Sequence, residues 1–230
     1  MAAAFALPAS TDQLTVTARI EVATVPGAPA GEPSDAVVWL TPLDGNTQIA
    51  PLPRAHPQLV QKNKTFLPHL LVVPVGSSVE FPNRDPFFHN VFSLFNGKRF
   101  DLGLYEAGTT RSVVFSRAGI SYIFCNIHPE MSAVVVALNT PFYGISDKKG
   151  TITISNVPSG RYEMQVWHER VLQDNLNGLK RTITIAQGST SLGVIRLPEE
   201  RSPLKDHKNK YGQDYDPTTP STPGYIKPEL

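Results

Sequence analysis

Tyr122-Ile123-Phe124-Cys125-Asn126-Ile127-His128-Pro129-Glu130-Met131 holds the only cysteine of the chain, with a histidine three positions on and a methionine three beyond that. Upstream, Phe81-Pro82-Asn83-Arg84-Asp85-Pro86-Phe87-Phe88-His89-Asn90-Val91 supplies a second histidine at the start of an apolar run. One thiolate, two imidazoles and one thioether make the ligand set of a mononuclear blue-copper site, a trigonal plane of two His and one Cys with a weak axial Met. The expected ligands are His89, Cys125, His128 and Met131, around one ion that alternates between Cu(I) and Cu(II). Each type has a reason. Sulfur is soft and donates strongly to copper, imidazole suits both oxidation states, and a thioether is a weak donor that tunes the potential.

Other chemistries fit the same residues less well. A lone Cys is most often a small buried hydrophobe, and a lone His a packed or surface residue. Structural zinc sites usually show two or more Cys and seldom use a thioether. A dinuclear copper centre needs a second Cys, which the chain lacks. A Cys–His nucleophile pair three positions apart on one loop leaves no scaffold for a substrate. An open copper site with Glu130 or Glu106 as a ligand is a remote enzyme-like option.

Cys125-x-x-His128-x-x-Met131, entered through Gly119-Ile120-Ser121-Tyr122-Ile123-Phe124, resembles the ligand loop of cupredoxins. The short loop, with Pro129 after the His, is most similar to that of amicyanin, and His89-Asn90-Val91 resembles the His-Asn-Val of plastocyanin-like proteins. The resemblance covers roughly residues 61 to 138. It implies that Asn90 braces the two ligand loops and helps supply a hydrogen bond to the Cys125 sulfur, with Phe124 also beside the ligands. It also implies an electron carrier, not an enzyme. His128 would break the surface inside an apolar patch, with Phe87, Phe88, Ile127 and Pro129 as the candidates for docking redox partner proteins.

Composition narrows the alternatives. At 230 residues there is room for one or two domains with real cores. Gly (16) and Pro (21) together exceed the average usage of about 12%. Short alternating runs are many and long amphipathic helical patterns scarce, so the class is all-β. A formal net charge of +1 argues against a nucleic-acid partner. No stretch approaches the roughly 18 apolar residues of a transmembrane segment. Met1 to Ser10 lacks a basic n-region; Ala4-Phe5-Ala6 has the small-x-small form of a truncated or removed signal peptide. A periplasmic or otherwise exported protein is expected on the cupredoxin resemblance alone.

Residues 14 to 22 alternate cleanly, with Leu14, Val16, Ala18, Ile20 and Val22 facing one way, as in a half-buried strand. A Pro/Gly-rich connection and a second strand, Asp35 to Leu40, follow, and then a turn-rich stretch to Pro57 marked by Asp44-Gly45. Phe66 to Gly76 is almost continuously apolar, as expected of one strand covered on both sides or at a sheet corner, and His69 within it is a core or edge histidine. Phe100, Leu102 and Leu104 alternate, as do Val113 and Phe115.

Farther on, Ser146-Asp147-Lys148-Lys149-Gly150-Thr151-Ile152 and Val157-Pro158-Ser159-Gly160-Arg161-Tyr162 are turns between strands. They resemble signatures of the regulatory-like, transthyretin-like domain appended to some carboxypeptidases, with Ser146 and Ile152 departing from its pattern. That domain's opening strands correspond to residues 14–22 and 35–40. The expected architecture is therefore a cupredoxin Greek-key sandwich over 46–138, inserted in, or joined to, a smaller transthyretin-like β-sandwich made of 11–45 and 139–198. The pairing is similar to exported bacterial proteins labelled methylamine-utilisation protein, a label that says little about chemistry. His168, after Trp167, reads as a capping or packing histidine. Residues 199–230 hold too few apolar side chains to offset ordering entropy and read as an extended or disordered tail that Tyr211, Tyr215 and Tyr225 could pin to a surface. Copper storage or delivery, or an envelope adaptor displaying the cupredoxin, are the alternatives to electron transfer.

Overall fold

Alternation of buried and exposed side chains sets several of the strands in the computed structural model, which describes residues 13–23, 31–45, 56–94, 97–198 and 207–215. The Met1 to Ser10 segment, most of both turn-rich connections, and the tail apart from 207–215 lie outside the described residues. In chain order, β1 (Gln13–Ala23) and β2 (Val37–Pro42) come first. Then follow β3 (Val60–Lys62), β4 (Thr65–Leu67), β5 (Leu70–Pro74), β6 (Ser78–Pro82), β7 (His89–Ser93), β8 (Phe100–Tyr105), β9 (Thr110–Val114), β10 (Gly119–Phe124) and β11 (Ser132–Leu138). The last are β12 (Tyr143–Ile145), β13 (Thr151–Pro158), β14 (Gly160–Trp167), β15 (Arg181–Ile185) and β16 (Ser191–Pro198), with one short helix among the described residues, α1 (Gln173–Gly178), before β15. The class is all-β, as expected. Two compact units divide the chain: Met1–Ile49 with Phe142–Arg201, and Ala50–Pro141 with Ser202–Leu230.

In the first unit β1 lies between β13, antiparallel, and β16, parallel, while β2 lies between β12 and β14 in a sheet completed by β15. Val16, Ala18 and Ile20 of β1 are buried with Ile152, Ile154, Ile195 and Leu197, so the inward-facing alternate positions of three strands form one apolar surface. Gly144 of β12 approaches β13 so closely that a Cβ there would sit 2.7 Å from the Ile152 side chain, which is where the two sheets meet.

Turn chemistry holds this unit's corners. The Asp147 carboxylate accepts the N–H groups of Lys149 and Thr151, each at 2.8 Å. Gly150 closes that turn at φ +77°, and its carbonyl accepts the Ile20 N–H at 2.7 Å. Ser146, where the transthyretin-like pattern has Thr, accepts from Ala36 N–H at 2.8 Å and donates to Pro33 O at 2.6 Å, so the shorter hydroxyl still ties two segments. Tyr162 donates to Pro158 O at 2.7 Å across the Pro-Ser-Gly turn. His168 is buried. Its Nδ1 accepts the Arg170 N–H, its ring bonds the Ser34 main chain, and burial lowers its pKa.

The second unit has a five-stranded sheet of order β5-β11-β10-β7-β8, with the pairs β6-β9 and β3-β4 alongside. Its core joins Leu59, Phe66, Phe81, Val91, Phe115, Ile123 and Val135 to Cys125 and Met131. Two sequence expectations are corrected here. The apolar run Phe66 to Gly76 is not one strand. Pro68 offers no N–H, the ladder breaks at Pro68-His69, and β4 and β5 enter different sheets. His69 is exposed at that corner, with Nδ1 3.2 Å from the Ser132 carbonyl. The Phe100, Leu102, Leu104 alternation also fails. A bulge carrying Gly103 at φ +65° adds a residue to β8, so Leu104 turns outward and Tyr105 inward.

A Cβ at residue 150 would lie 2.2 Å from the Ile20 carbonyl oxygen. A left-handed conformation alone costs an L-residue about 1–2 kcal/mol. Gly150→Ala should therefore lower the unfolding free energy by more than about 2 kcal/mol, read from urea denaturation.

Candidate metal centre

Strand register brings the donors together. β7 and β10 are antiparallel neighbours with Phe92 opposite Phe124, so His89 at the start of β7 and Cys125 just past the end of β10 reach the same end of the sheet. The loop from Cys125 to Met131 then closes on itself. Cys125 N–H donates to Met131 O at 3.2 Å, and Met131 N–H donates to His128 O at 3.0 Å. Before the Phe124–Ser132 pair opens β11, that loop carries three of the four expected ligands.

The Cys125 sulfur lies 3.8 Å from His89 Nδ1 and 3.5 Å from His128 Nδ1, and the two Nδ1 atoms are 3.1 Å apart. His89 and Cys125 are fully buried, while His128 is half-buried. Among the described residues this trio forms the one His/Cys/Asp/Glu cluster suited to a metal ion; Glu106 and Glu130 are exposed and outside it, as is His69. Met131 is fully buried in the core cluster that contains Cys125.

Asp85 decides which ring nitrogen of His89 faces the sulfur. Its carboxylate lies 2.8 Å from His89 Nε2, and it also accepts the N–H groups of Asn63 at 2.6 Å and Lys64 at 2.9 Å. Burial alone would raise the Asp85 carboxyl, but those donors outweigh it and hold it below the ordinary value. An ionised carboxylate only accepts, so Nε2 carries the proton and Nδ1 presents a bare lone pair to the site. Burial favours the neutral form of both rings: His89 is lowered, and His128 falls to about 4, because a second proton beside a protonated His89, and near the Lys64 charge, would be disfavoured as well. Burial also pushes the Cys125 thiol up, against the N–H groups of Asn90, Ile127 and His128, which favour the thiolate.

This donor set fits a soft or borderline cation. A sulfur with three N–H groups already turned toward it and two imidazole lone pairs within 4 Å is suited to copper or zinc, and a single Cys beside a buried Met favours copper. Asn90 sits beside the trio, but its side-chain amide donates to Asp101 Oδ1 at 2.7 Å on β8; its main-chain N–H is the group that reaches the sulfur. Phe87 meets His89 at 5.2 Å and His128 at 5.7 Å between ring centroids. Phe88 and Pro129 are exposed and Ile127 half-buried.

Sequence reasoning missed Asp85. Asn83-Arg84-Asp85-Pro86 reads as a turn, and only a carboxylate four residues before a ligand His hints at more. It also missed how His207, Lys210 and Tyr215 reach the ligand loop, described below.

Residues 139–192 match the family described as polysaccharide lyase family 4, domain II. No curated protein matches the chain. Among solved structures, a purple cupredoxin from Nitrosopumilus maritimus is 24% identical over 36% of this chain and 99% of its own, with a TM-score of 0.33. The Cu-containing nitrite reductase NirK of Thermus scotoductus SA-01 is 24% identical over 43% of this chain and 25% of its own, at 0.35. A proline-to-alanine mutant of amicyanin in the oxidised state is 23% identical over 36% of this chain and 82% of its own, at 0.34. No helix among the described residues is long and apolar enough to cross a membrane.

Asp85→Asn should lower the stability of the metal-free protein at pH 7 by about 1.5–3 kcal/mol, the range for hydrogen bonds to a charged group. The folded pKa of Asp85 is depressed, so its contribution is present above the ordinary carboxyl range and lost as pH falls through the folded value. Urea titrations should therefore show the gap between parent and variant closing as the buffer is taken below pH 3.8.

Proposed function

We propose that the chain is a type 1 copper protein that carries single electrons between periplasmic redox partners. His89, Cys125, His128 and Met131 would hold the ion. One observation carries this: a buried sulfur and two imidazole nitrogens converge within 3.8 Å. When bound, copper would supply a one-electron couple; the protein's part is to keep one donor geometry for both oxidation states. Asp85 holds the His89 tautomer, and the self-closed Cys125–Met131 loop holds the other donors, so neither redox state needs a new scaffold.

The half-buried His128 is the proposed exit for the electron, ringed by Phe87, Phe88, Ile127 and Pro129. A small apolar rim suits the brief encounters of electron-transfer partners. The copper-binding domain, 46–138, is proposed as an insertion in a transthyretin-like sandwich formed by 11–45 and 139–198. Support for it comes from β1 and β2 pairing with strands beyond residue 142 rather than with each other.

Addition of Cu(II) should give an intense visible sulfur-to-copper band at one ion per chain. Cys125→Ser should abolish the band, whereas His168→Ala should leave it. A Cys125→Ser protein with the parent's spectrum overturns the assignment. A protein that binds copper without this band serves storage or delivery instead.

Met131→Gln should retain copper and lower the reduction potential, because an amide oxygen favours Cu(II) more than a thioether does. Cyclic voltammetry giving an equal or higher potential removes Met131 from the ligand set.

A further inference from the structure

The described part of the C-terminal segment does not lie passively on the second unit. It folds into a closed turn. Asn209 Oδ1 accepts the N–H groups of Tyr211 at 2.9 Å and Gln213 at 3.1 Å, while Asn209 N–H donates to Gln213 O at 2.8 Å and Gly212 N–H to Asn209 O at 2.9 Å. That turn returns Tyr215 to His207. Their rings meet edge to face at 5.2 Å, with the Tyr215 hydroxyl 3.3 Å from His207 Nδ1.

Both ends, and Lys210 between them, hold the loop that carries Cys125. The Tyr215 hydroxyl donates to the Cys125 carbonyl at 3.0 Å. His207 Nε2 donates to the Pro129 carbonyl at 2.6 Å, and the His207 ring stacks on Phe124 at 4.1 Å and 28°. Lys210 N–H donates to Asn126 Oδ1 at 2.9 Å. Its ammonium lies 2.9 Å from Asp101 Oδ2, and the other oxygen of Asp101 takes the Asn90 amide.

We propose that residues 207–215 are a clamp on the copper-ligand loop, with Tyr215, His207 and Lys210 as its positioning residues. Building on the copper assignment, it adds a part of the site that lies more than 75 residues from the loop it holds. The loop joining β10 to β11 carries Cys125, His128 and Met131, and ligand geometry is kept only where supporting groups fix the ligands' own backbone. Here the fixed points are the carbonyls of Cys125 and Pro129, the Asn126 side chain and the face of Phe124. Apart from Lys210–Asp101, these contacts fall on four residues of one short stretch, 124 to 129. Tyr215 and His207 thus brace the loop from behind Cys125, and Lys210 braces the Asp101–Asn90 pair next to the first ligand.

Cys125 is the single thiol of the chain, so thiol labelling reads this loop alone. In the full-length, metal-free protein under native conditions, His207→Ala combined with Tyr215→Ala should speed labelling of Cys125 by about tenfold or more, the factor expected from losing one or two net hydrogen bonds. In the copper-loaded protein the same pair should hasten copper release to a chelator and change the copper hyperfine splitting. Labelling and release rates equal to the parent's overturn the clamp. Should the double variant fail to fold, Tyr215→Phe, which removes one oxygen, decides the question: faster labelling supports the clamp and an unchanged rate overturns it. A parent that takes up no copper would end the copper assignment, yet the labelling comparison on metal-free protein would still decide whether the clamp exists.

Discussion

The hydrogen bond from His89 Nε2 to the Asp85 carboxylate governs the centre, because it leaves Nδ1 without a proton and turned toward Cys125. Much of the second unit is arranged to keep that carboxylate where it is. Asn63 and Lys64, both at φ +55°, form the tight turn of the β3–β4 hairpin and aim two main-chain N–H groups at Asp85. Asn83 receives the Asp85 N–H at 3.0 Å and gives its amide to Phe87 O at 2.8 Å, fixing both sides of the turn that precedes His89. The bulge at Gly103 swings Tyr105 inward opposite His89, where its hydroxyl bonds Phe81 O and receives the Gln61 amide. The Asp85 carboxylate thus draws on the β3–β4 hairpin, and its own place in the turn before β7 is fixed by Asn83.

Charge balance follows from the same bond. Without a bound cation, burial favours a neutral Cys125 and two neutral imidazoles, so Asp85 is the ionised member of the group and its donors already offset its cost. Ionising Cys125 would place a second negative charge in the core, which is expensive unless paired. The N–H groups of Asn90, Ile127 and His128 relieve part of that cost, and a divalent cation between sulfur and imidazoles would relieve the rest. A thiolate and a carboxylate together match the charge of Cu(II), whereas Cu(I) leaves one negative charge over. In the proposed copper protein, Asp85 would therefore favour the oxidised ion.

The parts legible in the sequence were those set by residue type or by short-range periodicity. A lone Cys with His and Met at fixed offsets needs no tertiary information to suggest soft-metal chemistry, and β1 shows its buried face in plain alternation from Val16 to Ile20. The misread parts were set by backbone events or distant partners. At Pro68 a missing N–H ends a ladder inside an apolar run, and at Gly103 one extra residue reverses the facing of Leu104 and Tyr105. Asp85 looked like turn material because its acceptors' partners, Asn63 and Lys64, lie about twenty residues away. The segment 207–215 has the composition of a tail, and nothing local says that Tyr215 will reach a carbonyl 90 residues back.

Connectivity raises a separate question for the first unit, whose sheets join its two pieces across the intervening stretch Ala50–Pro141. Ser146 bonds Ala36 across 110 residues and Arg161 bonds Asp44 across 117. Loop closure becomes costlier only with the logarithm of length, at about 0.6 kcal/mol per doubling, so closing over a hundred-odd residues rather than about fifteen adds only about 2 kcal/mol. Against that, each fully buried Val, Leu or Ile contributes about 1.5–3 kcal/mol. Val16 and Ile20 on β1, with Val37, Val38 and Leu40 on β2, are all buried to within 1% of complete. The two leading strands thus outweigh the entropy of waiting for the chain to return. The cost falls instead on rate, since strand pairs so distant in sequence form slowly. An intervening unit that folds first, from the nearer contacts of β5 to β11, would shorten that wait without any change in the final contacts.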